Sequence, residues 1–337
     1  MAVGSLPYVD VEPALSLIVE TTPEVPAWPQ LPRRSFLENM YAQFAEGLPG
    51  LEIDVAGGTM VQHHNIPDED LMSFAEALGS GDLTRFAISP ESAAGLHALP
   101  DLLSRLPRPA TLIKGQVTGP VSFCLQLTDE GRRPVLYDDT VRELVTEMLT
   151  ARAIWQQRFL QEAAPDAAVL MMVDEPFLTQ WGSGYLSMPD DLVVAPLEHM
   201  LGALDCLAGI HVCGGTDWSK VAALPVDLLN FDAADHSGAL LAHAEAVAAF
   251  VADGGLLAWG VVPNDDRALS LAPQAAAATL LDGVRALAAV GAVGEDQILA
   301  QSYVTPACGT GALPVQTAEA CLRLAASTSE LVRATRM

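Results

Sequence analysis

Residues 168–176 read Ala-Val-Leu-Met-Met-Val-Asp-Glu-Pro: six apolar residues, two carboxylates and a proline. A run with no polar face fits a strand covered on both sides, the mark of a parallel sheet flanked by helices. The carboxylates and the proline then end it. The same design recurs outward along the chain. The segment 111-TLIKGQV runs into Thr118-Gly119-Pro120, and 208-AGIHVC ends at Gly214. Likewise 227-DLLNF stops at Asp232, 256-LLAWGVV at Pro263-Asn264-Asp265 and 298-ILAQSYV at Pro306-Ala307-Cys308-Gly309, while 2-AVGSL opens the chain. Between these runs lie Ala/Leu-rich stretches of helical period, at 139–163, 239–254 and 272–291, the last two stopping at glycine.

Strands alternating with helices predict an α/β fold, a single (β/α)8 TIM barrel over residues 1–337. With 51-LEIDV and 84-TRFAIS there are nine apolar runs, one more than the barrel needs, so one of those two is expected to be an excursion. Prolines crowd 21-TTPEVPAWPQLPRR and predict an irregular arm or lid around residues 21–50. No linker, repeat or low-complexity tract divides the chain. Because the active face of such a barrel is the C-terminal end of its strands, the polar residues that end each run are expected around one mouth.

Composition narrows the function. The 337 residues are 50% hydrophobic, enough for a large core without disulfide staples, which excludes a disordered chain and a small crosslinked scaffold. A net charge of −25 repels phosphate backbones and anionic lipid, so neither nucleic acid nor a membrane surface is expected as a partner. Five cysteines, an odd number, do not make a disulfide framework. The start has no basic region, so it does not read as a signal peptide, and a cytoplasmic location is expected. In that reducing compartment cysteine spacing is read for metal or catalysis.

His211 and Cys213 stand two apart in a strand and so point the same way, where an imidazole and a thiolate can meet one metal. By itself the pair is equally consistent with a core histidine and a buried cysteine. Cys308, among small residues at the end of the last run, adds a second sulfur, and Asp232 adds a carboxylate after an intervening strand. One nitrogen and two sulfurs, with or without one oxygen, is a donor set that Zn²⁺ accepts, and three protein ligands with one open position is a catalytic arrangement.

At this point the chain resembles the zinc-dependent methyltransferases built on the uroporphyrinogen decarboxylase-like barrel, above all the catalytic half of cobalamin-independent methionine synthase. The residues that carry the resemblance are, in order, Val3-Gly4-Ser5-Leu6-Pro7, Thr118-Gly119-Pro120-Val121, Val173-Asp174-Glu175-Pro176, His211-Val212-Cys213, Asp232 and Pro306-Ala307-Cys308-Gly309. The resemblance implies zinc on His211, Cys213, Cys308 and Asp232, with Asp235 or His236 the alternatives to Asp232. It implies homocysteine as the thiol and methionine as the product. It also implies that Gly4 and Ser5 hold the amino-acid carboxylate and that Asp174 holds the ammonium. Glu175 is either a second amine contact or a helix cap, and Thr118-Gly119-Pro120 either shapes the mouth or is a plain turn.

The sequence departs from that family in several places. Asp232 stands where the family has Glu, and 337 residues leave no room for a second, N-terminal barrel. No aromatic platform for folate is evident in Val121-Ser122-Phe123-Cys124, and Val262-Pro263-Asn264-Asp265 lacks the proton-shuttling histidine. Methyl-tetrahydrofolate needs a proton on its leaving nitrogen, whereas methylcobalamin departs as a stable anion. The expected donor is therefore methylcobalamin or a methylated corrinoid protein, with methyl-tetrahydrofolate the alternative. Lower readings are a coenzyme M-like thiol transferase, a uroporphyrinogen decarboxylase-like enzyme suggested by Arg33-Arg34, and a non-catalytic corrinoid-binding accessory protein. His63-His64 read as surface, Cys124, Cys206 and Cys321 as buried small hydrophobes, and Trp28 and Trp259 as packing.

Overall fold

The computed structural model describes residues 1–182 and 188–335. A hairpin of β1 (Leu51–Asp54) and β2 (Thr59–Gln62) precedes β3 (Leu112–Thr118), and the two-residue β4 (Thr128–Asp129) then pairs with β2. The remaining strands are β5 (Ala168–Asp174), β6 (Leu207–Val212), β7 (Leu228–Asp232), β8 (Leu256–Val262) and β9 (Ser302–Pro306). Six of them form one parallel sheet in the order β3-β5-β6-β7-β8-β9.

The sheet curls. Leu112, Leu170, Met172, Leu228 and Ala258 form a small apolar cluster of their own, apart from the large core between sheet and helices. Alternation along each strand sends one set of side chains inward to this plug and the other outward to the helices. The helix Asp139–Ala163 packs outside β3 and β5, and the Asp138 carboxylate caps it by accepting from Val141 N–H at 3.1 Å.

The closed eight-stranded barrel expected from the sequence is not formed: the parallel sheet has six strands and no ladder joins β9 back to β3. Residues 1–6 and 26–30 occupy the span between β9 and β3, and each makes only an isolated parallel bridge, Ser5 with Gln30 and Ala27 with Lys114. Met1 N donates to Val304 O, Leu6 N to Gln30 O, Gln30 N to Gly4 O and Lys114 N to Pro26 O, at 2.9–3.2 Å. Pro26 and Pro29 have no N–H, so no continuous ladder can form along this stave. Side-chain amides take its place. Trp28 Nε1 donates to Gln156 Oε1 at 2.8 Å, Gln116 Nε2 to Trp28 O at 3.0 Å and Gln156 Nε2 to Gln116 O at 3.0 Å. Lys114, 1% exposed, donates to Val3 O and Gln116 Oε1.

Both candidate excursions are excursions. Residues 51–54 are β1 of the outlying hairpin, turned by Gly57-Gly58, where Gly58 has φ +66° and a Cβ on Gly57 would meet Asp54 Oδ2 at 2.2 Å. Residues Leu83–Phe86 form a 3-10 turn. The helix expected over 239–254 is broken into Ser237–Leu241 and Ala244–Ala252. The proline-rich arm folds over the C-terminal end of the sheet. Arg33 donates to the carbonyls of Gly311, Ala312 and Leu313, and the Thr118 hydroxyl donates to Met40 O. No helix among the described residues is long and apolar enough to cross a membrane.

Candidate metal centre

Parallel register lines up the strand ends. Thr118 pairs with Asp174, Asp174 with His211 and His211 with Asn230, so neighbouring strands bring these four side chains to one level. Cys213 follows His211 by two residues, and Cys308 follows the end of β9 by two. One ligand atom from each of His211, Cys213 and Cys308 lies within 4.8 Å of the others, the only such group of three His, Cys, Asp or Glu found among the described residues.

The imidazole has a fixed orientation. Asn230 gives both its amide hydrogens away, to Ala258 O at 2.9 Å and Thr305 Oγ1 at 3.0 Å, and its Oδ1 lies 2.7 Å from His211 Nδ1. An amide so held can only accept from His211, which puts a proton on Nδ1 and, in the neutral imidazole that binds a metal, the lone pair on Nε2. That Nε2 is buried and has no hydrogen-bond partner. A buried acceptor left unmet costs about 1–3 kcal/mol, a cost a Lewis acid at this position would remove. The donor set of one imidazole nitrogen and two sulfurs suits zinc. Of the two sulfurs, Cys213 is the one drawn toward the thiolate: hydrogen bonding from the Cys308 thiol lowers its pKa against the opposing effect of burial. Cys308 is pushed up by the same contact and by burial.

Asp174 sits at the end of β5, 8% exposed, with Oδ1 buried and unpartnered. Burial raises its pKa, against the pull of His211 and Lys114. Lys114 is brought down to about 8 by burial, opposed by Asp174. Gly4 and Ser5 lie against the Cys308 loop: Ser5 O accepts from Thr310 N at 2.9 Å, and Ser5 Oγ accepts from Gly311 N at 3.2 Å. A Cβ on Gly309 would come within 2.3 Å of Ser5 Oγ, so only glycine allows this approach. Since Ser5 Oγ accepts there, its own proton is available to donate elsewhere.

Asp232 departs from its expected place, and Glu175 takes one of its two expected roles. Asp232 lies outside the cluster. Its Oδ1 accepts from Asp235 N at 2.9 Å and its Oδ2 meets His236 Nδ1 at 2.8 Å, so both oxygens serve its own turn. Asp235 pairs with Arg267, so neither proposed substitute supplies a fourth ligand. Of the two roles open to Glu175, its contacts match the helix cap. Fully buried, its oxygens accept from Val121 N and Ser122 N at 2.9 and 2.8 Å, capping the helix Pro120–Gln126. Burial drives it up to about 7 even so. The carboxylate lies where a Cβ on Gly119 would be, 2.1 Å from Oε1, which accounts for the glycine of Thr118-Gly119-Pro120.

Cys124 and Cys321 are buried away from the cluster, Cys206 half-buried, and Trp28 and Trp259 are buried. His63 bridges Glu52 and Glu130 on the outlying hairpin. The sequence reading missed Asn230, Lys114 and Tyr41. Lys114 was detectable, being one of two lysines in the chain and set inside an apolar strand. Tyr41, on the arm, packs edge-on to Phe123, and burial together with Glu175, Cys213 and Asp174 raises its pKa, keeping the phenol protonated. A cavity of about 420 Å³ opens at the opposite end of the strands, beside Met1, Tyr303 and Arg333, remote from the cluster.

No protein-family model matches the sequence, and no curated protein matches it. Among solved structures the fold is similar to that of a B12-independent methionine synthase from Shewanella sp. W3-18-1, determined in complex with selenomethionine. The TM-score is 0.50 at 17% identity, over 72% of this chain and 67% of that one. At that identity the likeness shows the fold, a curled α/β sheet of TIM-like type.

Proposed function

We propose that the protein is a zinc-dependent thiol methyltransferase that converts homocysteine to methionine. The observation that carries this reading is the unpartnered His211 Nε2 beside the Cys213 and Cys308 sulfurs. Zinc bound there would supply the Lewis acidity that turns an incoming thiol into a nucleophilic thiolate at neutral pH. His211, Cys213 and Cys308 would hold it, and Asn230 keeps the imidazole turned toward it. Asp174, with an unmet buried oxygen, takes the substrate ammonium, and Lys114 below it offsets its charge. Ser5, backed by the Cys308 loop, donates to the substrate carboxylate.

For the methyl donor, Asn264 supports methylcobalamin or a methylated corrinoid protein, because an amide cannot protonate a departing amine. Methyl-tetrahydrofolate is the second reading, favoured by the likeness to an enzyme described as B12-independent. Purified protein assayed for metal content and for homocysteine methylation with each donor side by side tests both. Bound zinc with methionine formed from methylcobalamin is the expected result. Turnover with the folate alone would replace the donor assignment, and no methionine from either donor would end the methyltransferase reading.

A further inference from the structure

Three of the buried side-chain atoms that lack a hydrogen-bond partner stand at the C-terminal rim of the sheet: Asp174 Oδ1, His211 Nε2 and Asn264 Oδ1. All three are lone-pair acceptors. His211 Nε2 is met by a metal and Asp174 Oδ1 by an ammonium under the function proposed above, but Asn264 Oδ1 has no such assignment. Its orientation is set from the other end of the amide, where Nδ2 donates to Gly309 O at 3.1 Å. Oδ1 therefore faces away from Gly309 and keeps an unmet acceptor. Gly309 in turn follows Cys308 and lies directly against Ser5 Oγ. Asn264 and Ser5 thus brace the same glycine.

We infer that Asn264 is a substrate-binding residue whose Oδ1 accepts a hydrogen bond from the ammonium of an amino-acid thiol. In an α-amino acid the carboxylate and ammonium share one carbon, so groups that hold them must lie side by side. Ser5 Oγ and the Asn264 amide both contact Gly309, which sets the two side chains close together at the rim. An ammonium has three N–H donors, enough for Asp174 and Asn264 together. A buried amide oxygen that only a donor can satisfy rejects a ligand lacking that donor. Asn264 accordingly selects thiols that carry an amine. The inference rests on the proposed thiol-methyltransferase reading.

Calorimetric binding of homocysteine and of its des-amino analogue, 4-sulfanylbutanoate, to the zinc-loaded protein tests it. Wild type is expected to bind homocysteine more tightly. Asn264→Leu should weaken homocysteine about 10-fold, as expected for a lost bond to a charged group, and leave the analogue unchanged. Asn264→Asp, which keeps an acceptor oxygen, should retain the preference. Equal weakening of both thiols, with zinc lost, would make Asn264 a brace for the Cys308 loop and overturn the inference. So would an unchanged preference in Asn264→Leu, or an effect confined to the KM of the methyl donor. A wild type that holds zinc but binds neither thiol would instead remove the function reading itself.

Discussion

His211 Nδ1 lies 2.7 Å from Asn230 Oδ1, and this contact decides which imidazole nitrogen is left to face Cys213 and Cys308. Asn230 is buried under β8 and β9 and donates to both, so it cannot turn over. Asn230→Leu should therefore lower zinc affinity by about 10–100-fold while leaving all three ligands in place. Competition with a chromogenic chelator measures it, and wild-type affinity in the variant would show that the ring is oriented by something else.

The carboxylate at position 232 separates two ligand sets. With both oxygens in its own turn, Asp232→Asn should keep full zinc content. Cys308→Ser should lose it, since one thiolate of the donor set is removed. Metal analysis of the two variants after dialysis decides the matter; zinc loss in Asp232→Asn would restore that residue to the ligand set.

Glu175 makes stability depend on pH. Burial raises its carboxyl from the ordinary 4.5 to about 7, so over that window the folded chain holds a proton that the unfolded chain has released. Its contribution is full below pH 4.5 and is lost as pH rises through 7, at most about 3 kcal/mol in all. In the metal-free protein, denaturant midpoints should fall between pH 5 and pH 8, and Glu175→Gln should flatten that slope. An equal slope in the variant would mean that Glu175 stays ionised.

Lys114 holds Val3 O and Gln116 Oε1 in the interior of the sheet. Lys114→Met keeps the stem but leaves the Val3 carbonyl unmet and Asp174 without its cation. A destabilisation of about 2–4 kcal/mol is expected by urea unfolding. A loss under 0.5 kcal/mol would indicate that water replaces the ammonium.

Periodicity made the six regular strands legible because their cores are apolar on both faces, and the 139–163 helix because its pattern is long. The same reading over-assigned 2-AVGSL and 84-TRFAIS. Both are apolar, but local composition does not show that the first run would lie beside the proline-broken residues 26–30, or that Asp82 caps a 3-10 turn. In the site, the spacing His211-x-Cys213 was visible as a strand pair, and Cys308 as a small-residue strand end. Asp232 misled, and Glu175 stayed open between two roles, for a single reason. A carboxylate at a strand end is as well suited to N–H groups of a turn or helix as to a metal or an amine, and only three-dimensional neighbours distinguish these. Asn230 carries no local signal, since its importance comes entirely from the residue on the next strand.

The curled sheet has a seam along which no ladder runs. Between β9 and β3, one bridge joining residues 1–6 to 26–30, one joining 26–30 to β3 and a single hydrogen bond from Met1 N to Val304 O stand in for the ladders that join the other strands. Opening fluctuations should concentrate there, with the amide protons of Leu6 and Gln30 exchanging with solvent well before those of β5 and β6. Ser5 and the loop bearing Cys308 border that seam, so the same breathing that admits deuterium would loosen one sulfur of the cluster while His211 and Cys213 stay anchored in the sheet.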